Sequence, residues 1–150
     1  VVTRRAGFLL NNGNIIDADG TTTGIKLTGL ANETPYYIVI RHRNHAPVAS
    51  SVPVIFYQQQ ASYDFTTGIA QGYGRNAMAT TTDGYAALWA GDYVPNGAIT
   101  YTDFNTYYNQ TTNDHTYTIG DGNLDKIVND ADFNLYRANA GRLMVPVIRY

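Results

Sequence analysis

Apolar residues come in short bursts along the first half of the chain, and turn-forming residues close each burst. Residues 3–10 (TRRAGFLL) run into Asn11-Asn12-Gly13-Asn14, then Ile15-Ile16. An Asn-Gly pair tolerates the left-handed backbone of a tight turn, so a hairpin is predicted here. Asp17-Ala18-Asp19-Gly20 predicts a second turn before residues 24–30. It could also open a calcium loop, but no ligand pattern follows it at the required spacing. The clearest strand is 35–43 (PYYIVIRHR), rich in β-branched and aromatic residues. Segments 48–57, 62–67 and 85–90 complete the set. No long amphipathic helix separates them. The fold class is therefore mainly β, with an antiparallel, Ig-like β-sandwich expected over residues 1–90.

At Gly91 the pattern changes and begins to repeat. Asp103-Phe104-Asn105-Thr106-Tyr107 returns as Asp132-Phe133-Asn134-Leu135-Tyr136, an offset of 29 residues (132 less 103). Gly91-Asp92 returns as Gly120-Asp121 at the same offset. Two copies are too few for a solenoid but suit two small units packed face to face over residues 91–141. The last segment, residues 142–150 (RLMVPVIRY), is apolar and β-like with Pro146 in its middle. Proline removes a ladder donor, so this strand belongs at an edge or in a groove. Left free it would be an aggregation hazard, so Leu143, Met144, Val145, Val147 and Ile148 are expected to be covered.

The repeat carries candidate metal chemistry. Calcium takes six to eight oxygen ligands, and a twelve-residue loop supplies them from positions 1, 3, 5, 7, 9 and 12. In the second copy these are Asp121, Asn123, Asp125, Ile127 (through its carbonyl), Asn129 and Asp132. Val128 at position 8 is the apolar residue expected where paired loops touch, and a helix is predicted over 132–140. Lys126 stands where a glycine is usual at position 6, and Asp132 where a bidentate Glu is usual at 12. An Asx-rich turn capping a helix is the simpler alternative. The first copy offers Asp92, Asn96, Ala98 (carbonyl), Thr100 and Asp103, with Val94 at position 3 followed by Pro95. One side-chain ligand is lost, so this loop is expected to be kept chiefly for packing.

The run Asp121-x-Asn123-x-Asp125-x-Ile127-Val128-Asn129-x-x-Asp132, followed by Phe133-Asn134-Leu135-Tyr136, resembles a type I dockerin repeat, a duplicated EF-hand-type loop and helix. Upstream, Arg4-Arg5-Ala6, Asp17-Ala18-Asp19-Gly20, residues 36–45 (YYIVIRHRNH), Tyr63-Asp64-Phe65-Thr66-Thr67 and residues 87–92 (ALWAGD) resemble C-terminal modules of large secreted surface proteins of Bacteroidota. The resemblance implies export, a β-sandwich joined to a dockerin-like pair, bound Ca²⁺, and no known catalytic activity. In those relatives an apolar strand usually precedes the segment matching Val1–Leu10. Its absence here, beside a spare apolar strand at residues 142–150, suggests a groove that such a strand could fill.

Composition narrows the classes. Lys and Arg total 10, with lysine only at Lys26 and Lys126, and no basic run exists, which argues against nucleic-acid binding. Charged residues make up 15% and the net charge is −2, while tyrosine numbers 13, a balance that suits an extracellular β-protein. Cysteine is absent, which excludes disulfides and thiol catalysis. No apolar run approaches the roughly 20 residues of a membrane span. The start at Val1 is expected to reflect a processed or incomplete chain.

No hydrolase signature surrounds Ser50, Ser51 or Ser62. His42 and His45 have no carboxylate beside them and no H-E-x-x-H run exists, while His115 sits in a polar loop, so strand-end packing and turn hydrogen bonds are the expected roles. The chain is thus expected to be a non-enzymatic, exported structural subunit. In this reading its residues 142–150 dock on neighbouring copies to build a head-to-tail filament riveted by calcium. The alternative is a calcium-binding adhesion or anchoring module with a cohesin-like or glycan partner.

Overall fold

The structure, a computed structural model, describes residues 1–10, 12–111 and 117–144. Within these the chain forms eight short strands, one 3-10 turn and two α-helices. The strands pair in four separate two-stranded antiparallel sheets. The mainly β class expected from the sequence holds at this coarser level. No helix among the described residues is long and apolar enough to cross a membrane.

Two compact units share the chain. The first comprises Val1–Tyr36 and Pro53–Tyr63. In it β1 (Gly7–Leu9) pairs with β2 (Ile15–Asp17), with Phe8 opposite Ile16. The turn closes as Asn12-Gly13 requires: the Gly13 amide donates to the Leu10 carbonyl at 3.0 Å, and Gly13 takes a φ of 84°. Gly7 is needed because a side chain there would meet the Ile16 carbonyl oxygen at 2.6 Å. β3 (Pro35–Tyr36) pairs with β6 (Val54–Ile55). The hairpin at Tyr57–Gln60 places Gln58 and Gln59 at φ 48° and 62°, left-handed backbone that glycine would adopt without strain.

Asp17 is the unit's only fully buried residue among those described. It accepts three bonds from Arg5, the closest from Nη2 at 2.8 Å, and further bonds from the Ala18 and Lys26 amides. The next turn is an Asx turn: Asp19 accepts from the amides of Thr21 and Thr22, both at 2.8 Å. No apolar side chain of this unit is fully buried among the described residues, and Phe8 and Leu9 are about half exposed.

The second unit comprises Tyr37–Val52 and the chain from Asp64 onward. β4 (Val39–Ile40) pairs with β5 (Val48–Ala49), and β7 (Ala79–Thr80) with β8 (Ala86–Ala87). One core joins these sheets: Val48, Ala77, Met78 and Ala86, flanked by Ile40, Phe65 and Leu88. The 3-10 turn Ile69–Gln71 leads into Gly72, where a side chain would stand 2.8 Å from the Ala77 methyl.

Two helices complete this unit, α1 (Tyr101–Tyr108) and α2 (Asp130–Asn139), each opened by a capping box: Thr100 with Asp103, Asn129 with Asp132. Their aromatic faces meet in a pattern that respects the repeat. Phe104 lies 6.0 Å from its counterpart Phe133, while Phe104–Tyr136 (6.0 Å) and Tyr107–Phe133 (5.8 Å) exchange when the two copies are exchanged. A pseudo-twofold relation of the helices follows.

Candidate metal centre

Both twelve-residue loops are built on one hydrogen-bond plan. At position 1 a buried carboxylate caps amides farther along the loop. Asp92 accepts from Asn96 (3.1 Å) and Gly97 (2.9 Å), and Asp121 Oδ2 accepts from Lys126 (3.1 Å). At position 12 a second buried carboxylate gathers the start of the loop and its end. Asp103 takes the amides of Val94 (2.8 Å) and Thr100 (2.7 Å); Asp132 takes those of Gly122 (2.7 Å), Asn123 (3.1 Å) and Asn129 (2.8 Å). Between them, short polar side chains bond to amides two residues on, as Asx turns do. Asn96 accepts from Ala98, Asn123 from Asp125, Asp125 from Ile127, and Asn129 from Ala131. Position 6 needs left-handed backbone in both loops: Gly97 adopts φ 80° without strain, whereas Lys126 is held at 76°.

The loops differ in what their first carboxylate leaves unpaired. Both oxygens of Asp92 are engaged, and burial pushes its carboxyl up to about 6, with the Asp103 charge adding to the rise. Asp121 is 2% exposed, and its Oδ1 has no hydrogen-bond partner among the described residues. A buried, partnerless carboxylate oxygen is costly unless something else satisfies it.

The second loop is walled by groups the sequence did not single out. The Tyr93 hydroxyl donates to the Asp132 carbonyl (3.0 Å) and the Tyr107 hydroxyl to the Asn129 carbonyl (3.1 Å). A side chain at Gly122 would stand 2.5 Å from the Tyr93 hydroxyl, so glycine is needed at position 2. The third wall is the loop after β4. Asn44, fully buried, donates its Nδ2 to the Asp121 carbonyl, and Arg43 Nη2 lies 3.5 Å from Asp121 Oδ2. Since Asn44 gives Nδ2 to Asp121, it offers its oxygen to His45 Nδ1 at 2.7 Å, so that ring nitrogen carries the proton. His42 and His45 meet edge-on at 4.7 Å, and burial lowers both, His45 to about 4, so both are neutral packing groups at pH 7. The run Arg43-Asn44-His45 was the available signal, its polar residues being dense for a strand end.

The apolar positions 8 belong to different clusters. Val128 packs with Tyr93 and Tyr107, and Ile99 with Ala46 and Met144 beneath Trp89 and Tyr136. The first loop has instead taken the exit of α2 as its strand partner. Ala98 bridges Leu143, the Ile99 amide donates to the Arg142 carbonyl (2.9 Å), and the Met144 amide donates to the Gly97 carbonyl (3.0 Å). Met144 is buried, and the Arg142 guanidinium lies over the Trp89 ring at 3.7 Å. Met144 is thus covered by its own chain, whereas Leu143, expected to be covered, is bridged through its backbone only and keeps a 61% exposed side chain; Val145, Val147 and Ile148 lie outside the described residues, as does His115.

Asp121 and Asp132, with the Asn and Asp side chains between them, provide hard oxygen donors of the kind calcium takes. Among the described residues no cluster of three or more His, Cys, Asp or Glu is arranged to hold a metal. A cation here would therefore depend on amide and backbone oxygens beside the carboxylates. Compared with known proteins, the chain matches no family model, no curated protein and no solved structure.

Proposed function

We propose that this chain is a non-enzymatic structural module of an extracellular assembly, a dockerin-like loop pair joined to strands of sandwich type. In this reading the second loop holds Ca²⁺ through Asp121, Asn123, Asp125, Ile127, Asn129 and Asp132. The first loop (Asp92, Asn96, Ala98, Thr100, Asp103) keeps the shape and serves as backbone partner for the chain leaving α2. Support for the cation comes from the buried Asp121 Oδ1 without a partner.

The observation that carries the assembly reading is the first unit's lack of any fully buried apolar side chain among its described residues, beside exposed Phe8, Leu9, Ile55 and Tyr57. Strands so thinly covered gain most from an added strand, and residues 145–150 (VPVIRY) of a second copy have the apolar content to supply one. Donation of this kind, head to tail, produces an open filament.

A second reading is favoured by the burial of Met144 in its own chain. The tail would then continue on its own molecule, and the chain would be an anchoring or adhesion module with a cohesin-like or glycan partner. Electron microscopy of purified protein with calcium separates the two. Filaments that disappear on truncation after Met144 are expected from strand donation. Uniform monomers of the full chain, with and without calcium, would eliminate it. Truncation at this point preserves the Arg142–Met144 contacts with the first loop.

A further inference from the structure

Arg43 is placed at evident cost. Its side chain is only 15% exposed, Nε and Nη1 have no hydrogen-bond partner among the described residues, and its guanidinium lies 3.4 Å over the Tyr117 ring. A desolvated guanidinium with two unused nitrogens is unfavourable unless a charge compensates it. That charge is Asp121, 3.5 Å away and itself buried with one oxygen unpaired. The next residue, Asn44, fixes the same aspartate from the other side by bonding its carbonyl, so two consecutive residues hold the backbone and the carboxylate of loop position 1.

Resting on the calcium reading above, we propose that Arg43 and Asn44 form a counter-ion clasp that sets the affinity of the second loop. With the loop empty, the guanidinium supplies the positive charge that Asp121 lacks. A divalent cation entering at Asp121 Oδ1 binds against that charge, and Asn44 keeps the loop's first residue in place during the exchange. The arrangement favours a site that fills only at the high calcium concentrations found outside cells, because the resident guanidinium weakens it. It also gives the residue 41–45 run (RHRNH) a role that strand packing alone does not.

Two measurements test this on the full chain. In calcium-free buffer, thermal unfolding of the wild type, R43Q, D121N and the double variant reads the pair with no metal involved. The two substitutions are expected to be non-additive, the second costing much less once the first is made; additivity would overturn the clasp. Calorimetric titration with CaCl₂ then reads the affinity. R43Q is expected to bind calcium about tenfold more tightly than the wild type, as removal of one positive charge near a divalent ion requires. R43K, which keeps the charge and guards against a failure of R43Q to fold, is expected to stay near the wild type. R43Q binding no more tightly than the wild type would overturn the affinity-setting role. If none of the proteins takes up calcium, the metal reading fails, and the cycle still decides the pair.

Discussion

Asp92 is buried and His45 partly buried in the same unit, and loss of solvent moves them in opposite directions. Asp92 rises from 3.8 to about 6, while His45 falls from 6.5 to about 4. The folded state holds more protons than the unfolded one at Asp92 between these values, so its contribution is present below pH 3.8 and is lost as pH rises through 6. At His45 the folded state holds fewer, so its contribution is complete above pH 6.5 and is lost as pH falls through 4. His42, lowered as well, adds to the histidine side. Calcium-free wild-type protein should therefore change little in melting temperature between pH 6.5 and 4.5, with a modest decline at the acid end. D92N should decline more steeply over the same range, because it leaves the histidines unopposed. A D92N profile parallel to the wild type would contradict the assignment. Both groups stood out in the sequence, yet their burial did not, since it is created by contacts far along the chain, such as that of Asn44 with Asp121.

The hairpin of β1 and β2 is the element most exposed to a single change. A methyl at Gly7 would meet the Ile16 carbonyl oxygen at 2.6 Å and Ile25 Cδ1 at 2.3 Å, and a ladder oxygen cannot yield as a side-chain tip can. Gly7→Ala should destabilise the hairpin by about 1–3 kcal/mol, read as faster hydrogen exchange at the Phe8 and Ile16 amides, which face each other in the ladder; unchanged exchange would show that the strands separate at no cost.

This hairpin was legible because Asn12-Gly13 dictates its turn locally, as was the repeat, whose spacing carries both helix starts. The second helix begins a little earlier than the predicted 132–140, because Asn129 takes the capping role and α2 opens at Asp130. The long strand predicted over 35–43 was not legible. It divides into β3 and β4, which pair with different partners, and at the break the Ile38 amide donates to Ser50 Oγ rather than to a ladder carbonyl. Segment 62–67 likewise becomes a turn in which Asp64 accepts from the Thr66 amide and hydroxyl. β-propensity marks residues that suit a sheet, but it does not mark where a side chain will outbid the ladder.

Across the whole molecule, cohesion is unevenly distributed. The second unit carries three buried clusters, centred on Val48, on Ile99 and on Tyr93. The first relies on the Arg5–Asp17 pair and on short ladders. Local opening follows buried contact density, so amides of β1, β2, β3 and β6 should exchange at least tenfold faster than those of β4, β5, α1 and α2 in the monomer. Added strands should slow the first group selectively in assembled material. Equal protection in both units of the monomer would remove the argument that the first unit awaits a partner.

The contact of Arg142–Met144 with Gly97–Ile99 has a mechanical meaning as well. Any load applied to the chain beyond residue 144 enters the molecule at Met144 and spreads into the first loop and the Trp89 ring before it can unwind α2. In a filament of the proposed kind the buried methionine would work as a cable collar. A loop with few ligands left to spare a metal would then serve as the strain relief of the joint, taking up tension so that the second loop does not.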